Sequence, residues 1–79
     1  MLVSLNKNKW LLEWMKDNWR EEMLNIFTLV DSFSSRPNIA REFSNLLIKN
    51  GYKTKVTKNN DVIIAMTEEE FVFLKLKYY

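Results

Sequence analysis

The chain has 79 residues, a formal net charge of +2, one Gly, one Pro, and neither Cys nor His. That composition excludes a disulfide framework and a Cys or His zinc site, and it removes the commonest general base and the thiol nucleophile. A chain this short buries only about 60% of the surface it exposes when unfolded, so three Trp, five Phe and three Tyr must supply a small aromatic core.

Acidic residues outnumber basic ones slightly up to Asp31, and the basic excess falls after it. Lys, Asn, Ile, Phe, Tyr and Met dominate over Gly, Ala, Arg and Pro. The first set has A/T-rich codons, which points to an AT-rich genome such as that of a low-GC bacterium or its phages. The opening MLVSLNKNKW is strand-like at its start and lacks an apolar signal core, because Asn6–Lys9 interrupts it. The longest apolar run, Val62–Met66, is far short of a membrane span. These features lead to the expectation of a soluble, cytoplasmic protein (in the host cytoplasm if phage-encoded) with no membrane partner.

The spacing predicts a long amphipathic helix over 8–30. Leu12, Met15, Trp19, Met23, Ile26 and Val30 recur at helical intervals and form a narrow seam, of the kind that packs along another helix. A break, if the helix has one, is expected near Asn25. Glu13 with Lys16, and Asp17 with Arg20, are favourable pairs three residues apart. Trp10 and Trp14 project from the side opposite the seam. Either the sheet or the N-terminal segment covers them, or they form an exposed aromatic anchor for a partner, since Trp is favoured at binding hot spots. The covered reading is preferred, with the anchor reading kept for the functional case.

A second helix is predicted over 36–50. Ser34 or Ser35 is placed to cap it, and Pro37 sits in its first turn, where the missing N–H costs nothing. Ile39, Phe43, Leu46 and Leu47 share one face. Gly51, followed by apolar Tyr52, has the pattern of a left-handed stop. Residues 52–58 alternate as a strand, Asn59-Asn60-Asp61 suits a hairpin turn, and 62–66 is the return strand. The tail is ambiguous. Thr67-Glu-Glu-Glu70 has the pattern of a helix start with a capping box, whereas FVFLKLKYY alternates as a strand over 70–78. Choosing the strand gives an α+β fold, ααβββ, with two helices on a three-stranded antiparallel meander in a single domain spanning 1–79. The alternative is a winged-helix-like arrangement with a C-terminal helix. Helix, helix, hairpin and TEEE resemble the end of a winged-helix domain, which implies that helix 36–50 reads a groove and Lys53–Lys58 forms the wing. Only Arg36, Arg41 and Lys49 would be basic contacts on that helix.

No catalytic constellation is visible. Ser32, Ser34 and Ser35 lack a nucleophile-elbow context, no Gly-rich loop cradles a phosphate, and consecutive Glu68–Glu70 diverge rather than converge on a metal. The expectation is a protein that is not an enzyme, with no metal and no cofactor. In the meander, Lys53, Lys55, Phe71, Phe73, Lys75, Lys77 and Tyr79 share the outer sheet face. Two functions follow. The first is a small protein-binding module, of the phage or mobile-element accessory type, that occupies a surface of a larger protein or complex as an inhibitor or regulator, for example of host defence. Its contacts would be Trp10, Trp14, Phe71, Phe73 and Tyr79. The second is nucleic-acid binding through Lys53, Lys55, Lys58, Lys75 and Lys77, with aromatics stacking bases. A homo-oligomer joined along the helix seam is compatible with either.

Overall fold

The computed structural model describes residues 1–33 and 36–79, and the side chains outside 29–38. The elements run β1 (Leu2–Ser4), α1 (Leu11–Asn18), α2 (Arg20–Phe33), α3 (Arg36–Lys49), β2 (Lys53–Val56), β3 (Val62–Ala65) and α4 (Glu68–Tyr78). The protein is α+β, with a three-stranded antiparallel open sheet ordered β1-β3-β2. The caps expected at Ser34 or Ser35, and the side chains of Val30 and Arg36, lie outside the described residues.

The seam of the predicted first helix is core. Met15, Met23 and Ile26 are buried, and Leu12 and Trp19 pack partly buried against them. The helix is not continuous, however, and the break falls at Trp19 rather than near Asn25. Trp19 leaves the helical region at φ −134° and ψ 54°. Asn18 immediately before it donates its side-chain amide to the Trp14 carbonyl at 2.8 Å, the local competition with the helix ladder that short polar side chains provide. The kink turns the Trp19 ring onto Trp14 and Tyr52, with centroids 5.2 and 6.3 Å away. The pair Glu13–Lys16 forms as expected, at 3.4 Å on the surface.

The helix stop after α3 has the bonding of a Schellman motif. Gly51 adopts φ +94°, its N–H donates to the Ile48 carbonyl at 3.1 Å, and the Tyr52 N–H donates to Leu47 at 2.9 Å. The hairpin turn likewise uses a left-handed Asn, Asn60 at φ 61°. Register Thr54↔Ile64 and Val56↔Val62 puts Val62 and Ile64 on the core face, under α3. The buried Ser44 hydroxyl on α3 hydrogen-bonds the Thr54 hydroxyl, tying helix to strand.

The third strand differs from the meander. Residues 70–78 are not a strand but lie within α4, and the place beside β3 is taken by β1, with Val3 opposite Ile64. The pairing is reinforced at both ends. Met1 donates its main-chain nitrogen to the Met66 carbonyl at 2.7 Å, and the Met66 N–H returns a bond to Met1 at 3.0 Å. The Asp61 carboxylate accepts from the Ser4 hydroxyl and, at 3.0 Å, from the Asn6 N–H. With β2 on the other edge, both edges of β3 are occupied. The chain after Met66 therefore has no strand to join there. Thr67 caps a helix instead, its hydroxyl accepting from the Glu70 N–H at 3.1 Å.

Leu47 is fully buried, so Leu47→Ala is expected to cost about 2–5 kcal/mol in urea unfolding. Gly51→Ala should cost about 1–2 kcal/mol from backbone strain alone, because no atom lies within 4 Å of an added Cβ. Leu76→Ala, at an exposed position, should stay within about 0.5 kcal/mol of the parent.

Candidate functional site

Helix α4 has three glutamates in its first turn, Glu68, Glu69 and Glu70, and Lys75 and Lys77 in its last. This order complements the helix dipole at both ends. Its inward side carries Phe71, Leu74 and Tyr78, with Leu74 buried and the other two packed against the core. Trp10, just before α1, meets this side, with ring centroids 5.7 Å from Phe71 and 6.1 Å from Tyr79. Deeper in, Trp14 and Tyr52 stack edge-to-face at 5.4 Å, and the Tyr52 hydroxyl donates to the Glu70 carboxylate. An aromatic wall thus runs from the kink at Trp19 to the end of α4.

The outward side of α4 is also apolar. Val72 is 48% exposed, Phe73 64% and Leu76 85%. At 100° per residue these three centre about half a turn from Phe71, Leu74 and Tyr78. Together with Glu68 and Glu69 they line a shallow open concavity. Scattered single apolar residues on a surface are ordinary, whereas a contiguous stripe marks an interaction site.

The structure disperses the residues singled out from sequence. Trp14 is 5% exposed and belongs to the core, and Trp10 is half-buried against α4. Trp10 rests against Phe71 and Tyr79 at the last helix, and Trp14 against Trp19 and Tyr52. Phe71 and Phe73 lie on opposite sides of α4, since two residues advance a helix by about 200°. Phe73 is outward, and Tyr79 is 83% exposed at the end. Lys53 and Lys55 share the outer sheet face, opposite Ala65 and Ile63, and Lys58 is exposed in the hairpin turn. Lys75 and Lys77 are not on that face. Lys75 lies over the rings of Phe71 and Tyr79, at 6.0 and 5.1 Å, and Lys77 over Tyr78 at 5.4 Å. The mixed lysine and aromatic sheet face of the meander is therefore not assembled. Val72 and Leu76 were not among the sequence candidates. Extending the helix signalled by Thr67-Glu-Glu-Glu70 through the tail would have found them.

Among the described residues no group of three or more potential metal ligands lies together, and no helix is long and apolar enough to cross a membrane. Comparison with known protein families, characterised proteins and solved structures returns no match.

Burial, followed by the hydrogen bond to Glu70 and the proximity of its charge, pushes the Tyr52 hydroxyl up from 10.0 to about 12. The protonated phenol is favoured by the fold, so its contribution is complete below pH 10. It is lost as pH rises from 10 towards 12, where the unfolded chain ionises first. Tyr52→Phe should lower stability at pH 8 by about 0.5–1.5 kcal/mol. The gap to the parent should narrow when unfolding is repeated near pH 11.

Proposed function

We propose that the protein is a non-enzymatic binding module that presents the outward side of α4 to another polypeptide and acts by occupying a surface of a larger protein assembly, as a regulator or inhibitor. The observation that carries this reading is the stripe of Val72, Phe73 and Leu76, exposed on a helix whose opposite side already serves the core. Keeping such side chains in water forgoes about 1.5–3 kcal/mol for each large one that a partner would fully bury. Phe73 supplies the aromatic anchor that hot spots favour, and Glu68, Glu69 and Lys77 supply a charged rim. The Trp10 and Trp14 rings serve to brace α4 from within.

Phe73→Asp and Leu76→Lys alter exposed positions and leave the core untouched, so far-ultraviolet dichroism should match the parent. A protein captured from the native source and then purified should bind each variant at least tenfold more weakly, about 1.4 kcal/mol. Equal affinity for parent and both variants would refute the stripe as the binding surface.

A second reading, nucleic-acid binding through the hairpin, is favoured by one observation. Lys53, Lys55 and Lys58 are all exposed, and no carboxylate lies within ion-pair distance of them among the described residues. In this reading the hairpin serves as a wing beside α3. It predicts affinity for duplex or single-stranded DNA that falls with salt with a slope of about −0.7 to −0.9 per phosphate neutralised. Replacing all three lysines by Glu should abolish the shift, and no shift from the parent at low salt would dismiss the reading.

A further inference from the structure

We propose that in the free protein the outward stripe of α4 is closed by the same stripe of a second copy, with the two helices antiparallel across a two-fold axis. This rests on the reading of the stripe as an interaction surface and adds its regulation, because a partner and the second copy then compete for Val72, Phe73 and Leu76.

Charge complementarity selects the occupant. The stripe begins at an acidic turn, Glu68 and Glu69, and ends beside Lys77. On the helical projection Glu69 lies within the stripe, and Lys77 lies about 40° from Phe73. Antiparallel pairing brings Glu69 of each copy towards Lys77 of the other, twice by symmetry, with the Lys77 ammonium swinging off the Tyr78 ring it covers in the single chain. It also opposes the two helix dipoles end to end, which is the favourable sense. Parallel pairing would place Glu69 against Glu69 and Lys77 against Lys77, with like charges facing at both ends. The surface is thus complementary to itself in one direction only, as a two-fold interface requires. Its apolar centre is equally self-matching, since the axis that pairs Glu69 with Lys77 falls at residue 73, where Phe73 of one copy meets Phe73 of the other with Val72 and Leu76 beside the pair.

The extent of the contact sets its strength. Eleven residues of helix span only about 16 Å, and a single such face falls below the roughly 800 Å² per partner of a standard interface. The dimer is therefore weak and concentration-dependent. That is a useful property for a surface that must also open to a partner.

Sedimentation equilibrium of the full chain at low salt, from micromolar to millimolar concentration, tests this. The mass should rise from 9.6 kDa towards twice that value. Leu76→Lys should remain monomeric with unchanged dichroism. Glu69→Lys and Lys77→Glu should each weaken association several-fold, and the double swap should restore it. A monomer throughout the range would overturn the second copy as occupant, while the partner experiment above would still stand or fall separately. A dimer that survives Leu76→Lys, or a double swap no better than the single ones, would overturn the antiparallel α4 contact.

Discussion

The rest of the structure depends on the antiparallel pairing of β1 with β3. It sets Val3 beside Ile64 in the core and is held at both ends, by the reciprocal bonds between Met1 and Met66 and by Asp61 bridging to Ser4 and Asn6. Because β2 already flanks β3 on the other side, this pairing leaves the chain after Met66 without a place beside β3. Residues 68–78 instead satisfy their backbone groups within their own segment, as a helix. Thr67 starts it, and the three following glutamates stabilise its positive end.

A helix at that point exposes more apolar surface than the protein can cover. Phe71, Leu74 and Tyr78 close over the aromatic wall of Trp10, Trp14 and Tyr52, and the bond from Tyr52 to Glu70 fixes the first turn of α4 to the body of the protein. Among the described residues no element covers Val72, Phe73 and Leu76. In a chain that can bury only about 60% of its unfolded surface, such a stripe is a cost that the fold alone does not repay. Its repayment by another polypeptide is the physical basis of the proposed function.

Much of this was legible in the sequence where one local signal was unopposed. The seam through Met15, Met23 and Ile26 followed from helical period. The lone Gly51 before Tyr52 announced its stop, and Asn60 its turn. The tail was opaque because FVFLKLKYY satisfies the strand period on both faces, while read as a helix it is apolar on both sides. Neither period identifies a single core face. The deciding fact, that Leu2–Ser4 occupies the edge of β3, is tertiary and lies at the opposite end of the chain. The kink at Trp19, next to the side-chain bond from Asn18, has no periodic signature. The positions of Trp10 and Trp14 off the seam were visible, but the covering of Trp10 by α4 was not, since it required the tail to be helical. Phe73 and Tyr79 were recognised as exposed aromatics on the premise of a sheet. Phe73 is exposed midway along α4 and Tyr79 at its end, in different company.

Backbone chemical shifts and interproton contacts in solution, measured on the dilute chain, test the central claim most directly. The account predicts helical Cα and Cβ shifts without interruption over Glu68–Tyr78, cross-strand contacts between the Val3 and Ile64 regions, and ring contacts from Trp10 to Phe71 but not to Phe73. Extended shifts over 70–78 with cross-strand contacts to Val62–Ala65 would contradict it, restoring the tail to the sheet and removing the stripe on which the functional reading rests.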